Sequence, residues 1–425
     1  MKYRKEVLDN GLRVLFVPMQ DAFTATVFTI VGTGSRYENE KENGLAHFLE
    51  HMFFKGTKNR PTAMEISREL DALGASYNAY TGQNQTAYYA KVSSDKIMNA
   101  LDVMNDLFLN SILSEDEIKK ESGTIVQEIN MYEDMPAVDI HNVFEELLYG
   151  KNHPLGRPVL GPKENILSFR RDDFLKYLNR CYTSKNTAIV VAGKFPEDEV
   201  FEKIKTDFSS MRTGKKPDFK IFNKTQNEPK VSIKEKKTDQ THILLGVHTP
   251  GYDYKYRYAL NILTHILGGG MSSRLFTEIR EKRGLAYNVK AMTEFHKDTG
   301  VFAVQAGVEH ENLKKVVELI LEQLRDVVKN GVTEEEFNRV KSGFAGKISF
   351  GYETSDDIAQ KFGIQEVVRD EIVLPEEILN RINNVKIEEV RQVAKELFVN
   401  DSLNLAIVGP HNDKTKSEIL DVLKF

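Results

Sequence analysis

The sequence predicts an α+β protein of two homologous αβ domains, each an antiparallel-dominated sheet covered by helices, the product of an internal duplication. One observation is a long-range similarity: LSEDEIKKESGTIVQEI from Leu113 matches VTEEEFNRVKSGFAGKI from Val332, an offset of 332 minus 113, or 219 residues. Another is a second matching pair, NTAIVVAGKF from Asn186 and LNLAIVGPHN from Leu403, each a short apolar run ending in Gly and each preceded by an amphipathic stretch. The third is that strand-like and helix-like stretches mix without regular βαβ alternation, which argues against a parallel doubly wound sheet.

In chain order, KEVLDNGLRVLFVPM alternates about Asp9, Asn10 and Gly11 as a hairpin does, and TATVFTIVGTG reads as the next strand. Helical periodicity takes over near Gly44. The two similar segments each open with the pattern of a capping box, Ser114 with Glu117 and Thr333 with Glu336. Between Met211 and Gln240 the chain is polar, rich in Lys and interrupted by Pro217 and Pro229, as connections between domains are. These features predict an N-terminal domain over 1–215, a linker over 216–235 and a C-terminal domain over 236–425.

The 425 residues exceed one ordinary core. With 58 Lys and Arg against 63 Asp and Glu, the net charge is −5, and no basic tract could follow a phosphate backbone, so nucleic acid is not an expected partner. Cys181 is the single cysteine, which excludes an internal disulfide framework and a Cys-based zinc site. Acidic and turn residues at Glu6, Asp9, Asn10 and Gly11 interrupt what would be the apolar region of a signal peptide. No apolar run approaches the ~18 residues of a spanning helix. The expectation is a soluble cytoplasmic protein, away from membranes.

LAHFLEHMFF, residues 45–54, sets His47, Glu50 and His51 within an otherwise apolar run. On a helix, positions i, i+3 and i+4 share a face, so the three side chains project together. Two imidazoles one turn apart can hold one zinc ion, and the carboxylate beside the second can reach a water at the metal. The spacing H-x-x-E-H is a known metallopeptidase signature. A core helix with a few hydrogen-bonded polar groups is the competing reading. Glu121 and Glu128, seven residues apart in the first of the similar segments, also share a face; they are either surface carboxylates or candidates for a third metal ligand. Their counterparts in the second segment are Val340 and Lys347, an asymmetry that favours a specialised first half. Gly268, Gly269 and Gly270 lack the G-K-[ST] of a phosphate loop and read as a turn.

GLAHFLEHMFFKGT, a Glu 128 minus 51, or 77, positions after the second motif His, and GGGMSSRLFTEIREKRGLAY in the second half resemble the inverzincin metallopeptidases, the family of pitrilysin, insulin-degrading enzyme and the mitochondrial processing peptidase. The resemblance covers nearly the whole chain and looks like the short-subunit branch. It implies one zinc per subunit held by His47, His51 and Glu128, with Glu50 as general base. It implies that Glu121 orients a ligand, that Asn78 and its neighbour Ala79 lie on an edge strand where substrate adds as a further strand, and that Arg280 and Tyr287 reach the substrate near the metal. A guanidinium and a phenol can both donate to a developing oxyanion.

The expected activity is therefore zinc-dependent endopeptidase cleavage of unfolded or short polypeptides in a closed chamber. The resemblance implies a homodimer in which Arg280 and Tyr287 of one subunit complete the site of the other. A non-catalytic scaffold of the same fold, or a presequence-processing peptidase of narrow specificity, are the readings left open. His265 in the second half reads as the remnant of a degenerate site, and His153 as structural.

Overall fold

A computed structural model describes all residues, 1–425. Its elements in chain order are β1 (Arg4–Val7), β2 (Arg13–Pro18), β3 (Thr24–Val31), α1 (Leu45–Phe53), α2 (Ala63–Ala72), β4 (Ser76–Thr81), β5 (Thr86–Ser93), α3 (Ile97–Asn110), α4 (Glu115–Glu133), α5 (Pro136–Tyr149), α6 (Lys163–Ser168), α7 (Arg171–Cys181), β6 (Thr187–Gly193) and α8 (Glu197–Phe208). There follow β7 (Lys230–Glu235), β8 (Thr241–Thr249), α9 (Arg257–Gly268), β9 (Ala286–Phe295), β10 (Gly300–Val308), α10 (Leu313–Asn330), α11 (Glu334–Phe350), α12 (Ser355–Ile364) and, after further helices, β11 (Asn404–Gly409). No helix is long and apolar enough to cross a membrane.

The first sheet runs β1-β2-β6-β3-β5-β4 and the second β7-β11-β8-β10-β9. Remove β1 and the two orders are the same, with β2, β6, β3, β5 and β4 matching β7, β11, β8, β10 and β9. The directions match too: β6 lies parallel to β2 and antiparallel to β3, and β11 lies parallel to β7 and antiparallel to β8. The duplication read from two pairs of sequence segments thus extends to whole sheets. Asp9, Asn10 and Gly11 make the predicted turn between β1 and β2, with Gly11 at φ +87°, where a side chain would be strained.

The chain forms two compact units, and they are not contiguous halves. One comprises Met1–Ile129, Pro158–Lys220 and Ile348–Pro375; the other Asn130–Arg157, Ile221–Lys347 and Glu376–Phe425. The predicted linker at 216–235 spans the boundary between Lys220 and Ile221, the two contiguous halves do not include this exchange, and residues 230–235 form β7. Lys230–Glu235 looked like linker because an edge strand, paired only with β11, keeps polar side chains on its open side.

The exchanged pieces are equivalent helices. In the first unit, Ala25, Val27 and Val31 of β3 face a core with Leu45, Phe48 and Leu49 of α1 and Phe174 of α7. The other face of β3 is covered by α12: Thr26 and Ser355 hydroxyls lie 2.8 Å apart. Gly363 packs so closely that an added Cβ would stand 2.7 Å from the Phe28 ring and 3.1 Å from Ile30. In the second unit, Ile140, Phe144 and Leu148 of α5 pack against Leu244, Ala303, Ala406 and Val408 of the sheet. The helix after α4 covers the second sheet, and the helix after α11 covers the first. Ile189, Val190 and Val191 of β6 are all fully buried, as a strand sandwiched between helices must be.

Candidate metal centre

Helix α1 divides its residues by the period of 3.6. Leu45, Phe48, Leu49, Met52 and Phe53 are at most 1 % exposed and fill the core, while His47, Glu50 and His51 turn toward α4 and β4. The His47 and His51 rings lie 4.7 Å apart. Glu128 on α4 brings Oε2 to 3.7 Å from His47 Nε2 and 3.5 Å from His51 Nε2. The ligand atoms of the three residues all lie within 4.8 Å of one another.

These separations are long for hydrogen bonds and close to the ~3.4 Å that separates ligand atoms at the corners of a tetrahedron with bonds of about 2.0–2.1 Å. His47 Nδ1 is buried with no hydrogen-bond partner. Burial, reinforced by His51, pushes the His47 pKa down to about 3, so the ring is neutral, as a metal ligand must be. His51 Nδ1 stands 2.8 Å from Glu121 Oε1. An ionised carboxylate only accepts, so Nδ1 carries the proton and Nε2 presents its lone pair. Burial opposes a charged His51 ring, yet the Glu121 hydrogen bond and the charges of Glu50, Glu121 and Glu128 outweigh it and raise its pKa. The surroundings favour positive charge, and a donor set of two imidazoles and a carboxylate fits zinc.

Glu121 is itself held. Lys55 Nζ lies 2.6 Å from Glu121 Oε2. Burial works to raise the Glu121 carboxyl, but His51 and Lys55 hold it below its usual value. Glu50 accepts a 2.5 Å hydrogen bond from the Thr81 hydroxyl at the end of β4. Burial raises the Glu50 pKa against that donor.

Sequence reasoning missed Lys55 and Thr81. Lys55 had a signal, one helical turn beyond His51 and within the quoted segment. Thr81 had none, because only the pairing of β4 with β5 brings it under α1. Of the capping boxes, Thr333 and Glu336 bond each other's backbone amides as expected, whereas the Glu117 side chain turns to Lys120 instead.

Asn78 and Ala79 lie on β4, the open edge of the first sheet. The Ala79 amide donates to the Asn78 side chain at 2.9 Å. Arg280 and Tyr287 belong to the second unit. Arg280 sits in a π-helical turn, Phe276–Glu281, a local irregularity frequent at functional sites. Its guanidinium lies over the Phe276 and Tyr287 rings at 4.8 and 4.7 Å and donates to the Tyr287 carbonyl at 2.9 Å. Tyr287 is 78 % exposed. At the equivalent of the metal cluster in the second unit, His265 on α9 packs on Phe344 of α11 with its ring 4.6 Å away and feels the charge of Lys347. A cation stands where the first unit has Glu128. His153 accepts from the Leu155 amide at 3.2 Å and holds its loop.

Residues 13–163 match the family model described as Insulinase (Peptidase family M16), and residues 168–344 the one described as Peptidase M16 inactive domain. An uncharacterized zinc protease of Bacillus subtilis is 34 % identical over 96 % of this chain and 98 % of its own length. One from Rickettsia bellii is 36 % identical over 95 % and 97 %. A crystal structure of a protease from Helicobacter pylori superposes with a TM-score of 0.89 at 25 % identity, covering 96 % of this chain and 99 % of that one. The fold and the matched spans together establish that the chain belongs to the insulinase family, peptidase family M16.

Proposed function

We propose that the protein is a zinc-dependent endopeptidase acting on unfolded or short polypeptides. The observation that carries this is the meeting of His47, His51 and Glu128 lone pairs beside a half-buried Glu50; the relatives described as zinc proteases support a protease role. A zinc ion held by those three residues would supply Lewis acidity to polarise a scissile carbonyl and acidify water. Glu50 takes the proton from the attacking water and passes it to the leaving amine. Thr81 holds the carboxylate in place for both transfers, and Lys55 keeps Glu121 ionised and directed at His51.

The open edge of β4 is where an extended peptide adds as a further strand, through main-chain bonds that are indifferent to sequence. Asn78 accepts from the Ala79 amide on that edge, and in this reading the incoming strand runs along these two residues. The test is direct: purified protein should carry about one zinc per chain and lose cleavage of a quenched fluorescent peptide on chelation, with recovery on adding zinc. Cleavage indifferent to chelators sinks the proposal.

Arg280 and Tyr287 donate to the oxyanion in this reading, from the partner subunit of a homodimer. A Glu50→Gln subunit mixed with a Tyr287→Phe subunit should recover part of the activity. Heterodimers that form and stay inactive rule out action in trans.

A further inference from the structure

Helix α1 has an unusual beginning. Its N-cap is Gly44, at φ +100°, with no side chain to satisfy the amides of the first turn. Ser, Thr, Asp or Asn ordinarily does so from that position. Here the acceptor comes from farther up the chain. Glu38 accepts from the Gly44 amide at 2.9 Å and from Asn43 Nδ2 at 3.3 Å through Oε2, and from the Ala46 amide at 2.6 Å through Oε1.

Nothing but glycine fits at the cap itself. A Cβ on Gly44 would stand 2.6 Å from the Leu160 carbonyl oxygen, and one on Gly161 would stand 2.3 Å from the Asn43 carbonyl oxygen. Two backbones are pressed together here. Asn165 Nδ2 ties them, donating to the Glu40 and Asn43 carbonyls at 2.9 and 3.1 Å. The close approach excludes a capping side chain, and Glu38 supplies the missing acceptor.

We infer that Glu38 is a positioning residue for the metal helix: its carboxylate replaces the cap that Gly44 cannot offer and so fixes the first turn, which contains His47, in the register at which Glu128 meets it. His47 directly follows Ala46, whose amide Glu38 holds, whereas His51 lies a full turn deeper. A frayed first turn therefore displaces one ligand and spares the other. The inference rests on the zinc reading above.

Glu38 is not there for stability alone. It is 2 % exposed, and burial pushes its pKa up to about 7 despite three donors, with Glu42 adding to the rise. A carboxyl raised from 4.5 binds protons more tightly folded than unfolded, so its contribution to stability is greatest below pH 4.5 and is lost as pH rises through about 7. The ionised form that caps best is the form that stabilises the fold least.

The experiment compares wild type, Glu38→Gln and Glu38→Leu at pH 8 by hydrogen exchange of α1 amides in metal-free protein and by zinc affinity in chelator competition. Glu38→Leu should lose protection at Ala46 and His47 and bind zinc ~10–100-fold more weakly, the range seen when the support of a metal ligand is removed. Glu38→Gln, which keeps one acceptor, should fall between and carries the test if the leucine variant misfolds. Variants that exchange α1 as wild type does, or that fray yet bind zinc normally, overturn the inference. A wild type that binds no zinc overturns this and the proposed function together, while normal zinc binding by all three overturns this alone.

Discussion

Glu50→Gln should lower turnover of a peptide substrate by ~10²–10⁴-fold, the usual weight of a positioned acid–base group, while zinc content per chain stays that of wild type. Glutamine is isosteric and still accepts from Thr81, so the hydrogen bond that orients position 50 survives. It cannot take a proton from water. The trio proposed to hold the metal, His47, His51 and Glu128, does not include residue 50, which is why metal content and turnover should separate. If the variant keeps more than about a tenth of the activity, another group is the base and the assignment fails.

Arg60→Ala should destabilise the first unit by about 3–5 kcal/mol, the range for removing one partner of a buried ion pair. That corresponds to a melting shift of ~10 °C for a unit of this size. Arg60 closes the loop that follows α1. Its guanidinium reaches Glu69 of α2 at 2.6 and 2.8 Å and Asp102 and Asp106 of α3 at 2.9 Å each. The Asp106 side chain is only 4 % exposed. Without Arg60 it keeps Thr57, Asn59 and Asn110 as donors but loses its one cation. Chemical denaturation reads the change, and a loss below about 1 kcal/mol would mean the neutral donors suffice.

What could be read in the sequence follows from period and spacing. The 3.6-residue period placed His47, Glu50 and His51 on the polar side of α1 and Glu121 with Glu128 on one side of α4. The alternation around Asp9 to Gly11 located the first hairpin. Two pairs of matched segments revealed a duplication that proved to extend to strand order and direction. What could not be read are contacts that chain separation hides. Thr81 meets Glu50 only because β4 folds under α1, and Glu38 caps a helix whose own N-cap position is silent. The exchange of α5 and α12 was invisible for a related reason: an amphipathic helix announces that one face will be buried but not which sheet will bury it.

That exchange makes the duplication irreversible in practical terms. A fragment ending in the proline-interrupted connection would contain every candidate zinc ligand and still lack α12, leaving Phe28, Ile30 and the Thr26 hydroxyl of β3 uncovered. Its counterpart would lack α5 and uncover Leu244 and Ala406. Each piece carries the helix that covers the other's sheet. A substitution at Gly363, far along the half of the chain without the candidate zinc ligands, is felt first against Phe28 and Ile30 in the sheet of the half that has them.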